Sequence, residues 1–172
     1  AGMKKFLEEA KKLAKLSSLD GIVHIYDSFE ANHTAYIVME YLEGETLASY
    51  MKREKKLTEE AAMDIIVPVL QTLEEVHHSG IIHRDSAPAN IFLAKGQDGK
   101  TPGKLIDFGA SRYASTSHSK SLTVLIKPGY SPAEQYQSNG EQGPFTDVYA
   151  VGAVLYHLVT GVRPEDAFER RT

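Results

Sequence analysis

The sequence has no cysteine among its 172 residues, so neither a disulfide nor a thiolate metal site can hold it together. That absence agrees with a reducing compartment, and a cytoplasmic location is the expectation. Long hydrophobic runs are missing too. The apolar stretch 148–159 is interrupted by Gly152 and His157 and falls short of the roughly 20 residues a bilayer crossing needs, and no secretory leader is visible. A strong charge of either sign is also absent. A net charge of −4 and a pI near 6.0 give no global electrostatic reason to expect nucleic acid or an anionic membrane as partner. Internal repeats and low-complexity linkers are not found. What remains is 42% hydrophobic and 24% charged residues, the composition of one globular unit able to bury a core. Ala1-Gly2 ahead of Met3 reads as a cleavage remnant, with Met3 the expected encoded start.

Hydrophobic spacing places the elements. Phe6, Leu7, Ala10, Leu13, Ala14 and Leu16 recur at three- and four-residue intervals among lysines and glutamates, which predicts an amphipathic helix over 4–16. Ser17-Ser18-Leu19-Asp20-Gly21 ends it. Two β-rich runs, 22–29 and 34–40, follow as an antiparallel hairpin joined by Glu30-Ala31-Asn32-His33. A short helix is expected over 47–52. Thr58 is the expected N-cap of a long helix reaching His78, with Gly80 as stop and Pro68 causing a local kink or a solvated carbonyl. Short strands and loops fill 81–107 around a turn at 95–104. The serine- and threonine-rich segment 110–128 has the profile of a mobile surface loop. A last apolar helix is expected from about Thr146 to Thr160, ended by Gly161.

The chemistry-bearing residues form an ordered pair of motifs. His83-Arg84-Asp85 has Asn90 five residues after the aspartate, and Asp107-Phe108-Gly109 begins twenty-two residues after Asp85. Phosphoryl transfer from a nucleotide needs a carboxylate at the acceptor hydroxyl and oxygen ligands that hold magnesium on the phosphates. Asp85, Asn90 and Asp107 supply that set, since magnesium prefers carboxylate, amide-carbonyl and water oxygens. His77, His78 and His157 show no metal-ligand spacing and read as structural.

With these motifs the chain resembles the eukaryotic-like protein kinases, in particular the bacterial serine/threonine kinases, over nearly all of its length. The resemblance implies an α+β protein-kinase-like fold, with a mostly helical large lobe over 43–172 and a small lobe over 3–42 reduced to one helix and a hairpin. It implies ATP and Mg2+ as cofactors and a protein as substrate. Asp85 is then the catalytic-loop aspartate, and Asn90 and Asp107 are the magnesium ligands. Glu9 looks like the helix glutamate that pairs with a nucleotide-binding lysine. Met39-Glu40-Tyr41-Leu42 is similar to the gatekeeper and hinge beside the adenine, and Phe92 joins them as a nucleotide-site candidate. Glu134, in Gly129-Tyr130-Ser131-Pro132-Ala133-Glu134-Gln135, fits the glutamate that closes the activation segment. Asp147 fits the buried aspartate that anchors the catalytic loop. Arg84 fits an arginine that receives a phosphate from the Ser/Thr-rich loop.

Departures from the family pattern carry further expectations. No G-x-G-x-x-G loop and no Val-Ala-Ile-Lys strand precede Glu9. A weakly active or inactive chain, a binding or scaffold module, and a homodimer or partner chain covering the open nucleotide face are therefore alternatives. Glu134 lacks its customary arginine and is expected to be partly exposed or to pair with another cation. Ala87 stands where serine/threonine kinases usually carry lysine, and Lys127 stands where they usually carry threonine. Lys127 is expected to deliver the missing ammonium to Asp85 from the other side of the site. Tyrosine kinases pair an alanine at the first position with an arginine two residues later, where this chain has Ala89, so serine/threonine specificity is expected. Aminoglycoside kinases share the fold without this arrangement of motifs.

Overall fold

The structure is a computed structural model that describes residues 11, 14–16, 18–96, 101–107, 112–113, 126–137 and 139–171. Of the helix expected over 4–16, Lys11, Ala14 and Lys15 are helical and Leu16 is buried; the rest lies outside the described residues, Glu9 included.

The hairpin pairs β1 (Ile25–Ala31) with β2 (Thr34–Met39) in antiparallel register, with Ala31 opposite Thr34 and an irregularity between Ile25 and Asp27. Its turn is two residues, shorter than the four-residue connector expected. Asn32 and His33 have φ of 50° and 59°, the left-handed pair that a tight hairpin turn demands and that asparagine tolerates. Strand β3 (Gly44–Thr46) leads into α1 (Leu47–Glu54), capped by Thr46 Oγ1, which accepts from Ser49 N at 3.2 Å.

Helix α2 (Glu59–His78) begins at the expected cap, where Thr58 Oγ1 accepts from Ala61 N at 3.3 Å. It buries Ala62, Ile65, Ile66, Val69, Leu73 and Val76 on one face, a three- and four-residue spacing that lays a stripe on the core. The helix runs unbroken through Pro68, whose carbonyl accepts from Thr72 Oγ1 at 2.9 Å. It packs against α3 (Pro144–Thr160). That helix starts two residues before the expected Thr146, because a proline in the first turn needs no N–H partner. Thr146 Oγ1 accepts from Gly143 N at 3.2 Å and so satisfies the cap.

Between α2 and α3 lie β4 (Ile81–Ile82), β5 (Ile91–Ala94), β6 (Gly103–Leu105) and β7 (Arg112–Tyr113). Strand β5 pairs with β3 on one side and β6 on the other, while β4 pairs with β7. Strand β7 corrects the expectation of an unbroken loop over 110–128; its pairing with two buried isoleucines is a long-range contact that local composition does not encode. The remainder of that segment up to residue 125 lies outside the described residues. The architecture is therefore α+β, with three small antiparallel sheets among the described residues. No helix among them is long and apolar enough to cross a membrane.

Two local details lead to measurable outcomes. A Cβ on Gly103 would meet Val69 Cγ2 at 2.8 Å and the Ile65 carbonyl at 3.1 Å, so β6 sits against α2 at backbone distance. Gly103→Ala is expected to cost about 1–3 kcal/mol through overpacking, read as a lower denaturation midpoint at unchanged m-value. Nδ1 of His157 on α3 shares a hydrogen bond with the Tyr130 hydroxyl, 2.6 Å away. Burial, then the charge of Arg163, hold its pKa below the ordinary 6.5. The unfolded chain thus binds the proton more readily than the native one, so stability is complete above about pH 6.5 and is lost as pH falls below it. Buried His83 acts with the same sign. Thermal melts from pH 7 to 5 should show this loss, and His157→Gln, which keeps a hydrogen-bonding group for Tyr130 without titrating, should flatten part of it.

Candidate functional site

The loop 83–90 leaves β4 and enters β5, and an unusual backbone shapes it. Arg84 has φ of 71° and Asp107, just after β6, has φ of 64°. Left-handed values at non-glycine residues persist only where surrounding contacts hold them, and they concentrate at functional sites. For Arg84 the contacts are visible. Asp147 on α3 is fully buried; its Oδ1 accepts from Arg84 N at 2.7 Å and its Oδ2 from His83 N at 2.9 Å. His77, at the end of α2, contributes Nε2 to the same Oδ2 at 2.7 Å. Gln135 Nε2 donates to the Arg84 carbonyl at 2.7 Å, and Arg84 Nε donates to Gln142 Oε1. The Arg84 side chain, expected as a phosphate receiver, is buried with Gln142 as one of its partners.

His83 is fully buried, and its Nδ1 accepts from Asp85 N at 3.3 Å. A nitrogen that accepts is unprotonated, consistent with burial pushing this imidazole's pKa down.

These contacts present Asp85. Its side chain is 6% exposed, with Lys127 Nζ 3.5 Å from Oδ2. Among the described residues its buried Oδ1 has no hydrogen-bond partner. Burial pushes this carboxyl above the usual carboxylate range, against the opposing pull of Lys127 and Asn90. Asn90 is held by Nδ2, which donates to the Asp85 carbonyl at 2.9 Å, and by its own carbonyl, which accepts from Ile106 N at 3.0 Å. Fixing the amide nitrogen in this way leaves the side-chain oxygen as the group's acceptor. Asp107 follows Ile106 directly and is exposed, with its charge felt at His83; Phe108 and Gly109 lie outside the described residues. Strand pairing between β5 and β6 thus brings the Asn90 and Asp107 segments together.

The expected nucleotide-side residues lie at and just after the end of the hairpin and on β5. Met39 ends β2 and is exposed, Tyr41 is 90% exposed, and Leu42 is half-buried against the core. Glu40 is employed structurally: its Oε1 accepts from His24 N at 2.8 Å and from Lys104 Nζ at 3.1 Å, and its N–H donates to His24 O at 2.8 Å. Burial raises this carboxyl, but the His24 bond and then Lys104 outweigh it and hold the pKa below its ordinary value. Phe92 is half-buried on β5, opposite Thr46 and Lys104.

Glu134 is half-buried and accepts from Thr146 Oγ1 at 3.0 Å, so a hydroxyl serves it. Sequence reasoning missed Asp166. Its Oδ1 accepts from Gly129 N at 2.6 Å and from Tyr136 OH at 3.1 Å, clasping the segment that carries Lys127. Burial, then this bond, push the Tyr136 hydroxyl up to about 12. No local spacing flags Asp166, which stands thirty-seven residues from Gly129.

The donor set suits a hard cation shared with phosphates. Among the described residues no three His, Cys, Asp or Glu gather into a metal site. Magnesium is commonly held by one or two protein oxygens together with substrate phosphates.

Comparison with known proteins gives the family. The family profile described as protein kinase domain matches residues 1–171. The serine/threonine-protein kinase PknA of Nostoc is 38% identical over 169 residues, covering 94% of this chain and 29% of the relative. The probable serine/threonine-protein kinase CPE1738 of Clostridium perfringens is 37% identical, covering 94% and 23%. PknB of Mycobacterium leprae is 35% identical, covering 93% and 26%. The chain thus spans between a fifth and a third of the length of these relatives. A profile match over almost every residue, with three relatives at 35–38% identity, places the chain in the protein kinase family.

Proposed function

We propose that this domain transfers the γ-phosphoryl group of ATP to a serine or threonine hydroxyl of a protein. The observation that carries the reading is the buried Asp85 carboxylate, whose Oδ1 lacks a hydrogen-bond partner among the described residues. A desolvated carboxylate oxygen left open in this way suits the proton of an incoming hydroxyl. In the proposed step the hydroxyl oxygen bonds to the γ-phosphorus as the bond to the bridging oxygen of ADP breaks, and the hydroxyl proton passes to Asp85. Asn90 and Asp107 would hold magnesium, which neutralises charge on the phosphates when bound. Met39, Glu40, Tyr41, Leu42 and Phe92 would line the nucleotide side, with Glu9 as the glutamate that would pair with a nucleotide-binding lysine. Residues 3–42 are assigned to the small lobe and 43–172 to the large one. The half-exposed Glu134, served by Thr146, is the end of the segment that would receive the acceptor peptide.

The test is a magnesium–ATP phosphotransfer assay with a generic protein acceptor. Asp85→Asn should lower kcat by about 10²–10⁴-fold without a comparable loss of thermal stability. Activity that survives this substitution, or a silent wild-type protein, overturns the reading. Asp107→Ala and Asn90→Ala should raise the magnesium concentration needed for half-maximal rate, measured by titrating Mg2+ at fixed ATP. An unchanged magnesium requirement in both variants removes these residues from the metal site.

A further inference from the structure

From Asp85 to Asn90 the loop carries no cation. Asp85-Ser86-Ala87-Pro88-Ala89-Asn90 contains no lysine or arginine, and Ala87 is buried at 4% exposure. The positive charge arrives from across the chain. Lys127 Nζ stands 3.5 Å from Asp85 Oδ2, and its side chain is 37% exposed while that of Asp85 is 6% exposed. A tight charged hydrogen bond runs at about 2.7–2.9 Å, so the ammonium lies beside the carboxylate without being locked onto it. An ammonium carries three donors, and this one is partly exposed.

The backbone under Lys127 is held firmly by contrast. Lys127 N donates to Ser131 Oγ at 3.0 Å, and its carbonyl accepts from Tyr130 N and Ser131 N, both at 2.9 Å. Gly129 closes this turn with φ of 83°, and a Cβ there would stand 2.4 Å from the Pro164 carbonyl. Asp166 finishes the clasp by accepting from Gly129 N and Tyr136 OH. The turn is thus pinned to the segment that follows α3, while the lysine side chain reaches toward the site.

We propose that Lys127 is a catalytic residue whose ammonium contacts the phosphoryl group in transit to the hydroxyl at Asp85, and that Asp166 is the positioning residue that holds it there. The inference rests on the phosphotransfer reading above. Charge on a transferring phosphoryl group spreads over its equatorial oxygens, and a cation already in place needs no reorganisation as that charge develops. Lys127 forms no covalent bond in the step and keeps its protons.

The test compares Lys127→Ala, Lys127→Met, Lys127→Arg, Asp166→Ala and Asp166→Asn with the wild type and with Asp85→Asn. Lys127→Ala and Lys127→Met should lower kcat by about 10²-fold with little change in the KM for ATP. Lys127→Arg should recover part of the rate, and ethylammonium added to Lys127→Ala should recover part as well. Asp166→Ala should reduce kcat, while Asp166→Asn, which keeps an acceptor oxygen for Gly129, should retain most of it. As a readout independent of turnover, aluminium fluoride should tighten Mg–ADP binding to the wild type and do so less for Lys127→Ala. If Asp85→Asn abolishes transfer while Lys127→Ala leaves kcat and fluoride-enhanced binding intact, this inference fails and the kinase reading stands. If Asp85→Asn also has no effect, the kinase reading itself fails.

Discussion

The buried carboxylate of Asp147 is the constraint on which the site depends. A fully desolvated charge is costly unless it is paired or hydrogen-bonded, and here three donors surround it: His83 N, Arg84 N and His77 Nε2. Each charge-assisted bond is worth about 1.5–3 kcal/mol, against about 1–3 kcal/mol for a residue such as Arg84 in the left-handed region. The anion thereby offsets the strain that turns the chain at Arg84 and aims Asp85 out of β4. Through His77 the same carboxylate ties the end of α2 to the start of α3.

A second set of contacts fixes the opposite wall. Strand β6 is held by β5 and by residues 21–23, with Leu105 N donating to Gly21 O at 2.8 Å and Val23 N to Leu105 O at 3.3 Å. Ile106 N then reaches the Asn90 carbonyl, so the segments carrying Asn90 and Asp107 cannot shift independently. Glu40 extends this frame: by bonding both His24 and Lys104 it joins the end of the hairpin to β6. Its side chain therefore serves the scaffold, and whatever it offers a nucleotide must come from its remaining backbone group.

Elements whose signals are local were legible in the sequence. Helix α2 shows its cap at Thr58 and its buried stripe at three- and four-residue spacing, and the hairpin shows alternating β-formers around Asn32-His33. Strand β7 was not legible, because Arg112 and Tyr113 sit in a serine-rich run and become a strand only by meeting Ile81 and Ile82. The site divides in the same way. Asp85, Asn90 and Asp107 are announced by motif spacing, and Asp147 by its place in the last helix. The Asp166 clasp and the Gln135 and Gln142 contacts to Arg84 are side-chain bonds across 37 to 58 residues, with no periodicity to betray them.

Asp85 concentrates the electrostatic consequence of this arrangement. A general base must be charged to accept a proton, yet the burial that desolvates Asp85 favours its neutral form. The residues beside it in sequence supply only part of the opposing influence, through Asn90 and His83, since none from Ser86 to Asn90 is cationic. Its largest share comes from Lys127, forty-two residues onward, on a turn pinned by Ser131, Pro164 and Asp166. The ionisation of the candidate base is thereby coupled to the conformation of a separate segment of chain. A displacement of the 127–131 turn would leave the carboxylate in place and remove the cation that favours its charged form. The burial that Asp147 imposes on the loop and the charge that Lys127 returns to it are two halves of one balance, set by segments that meet only in the folded state.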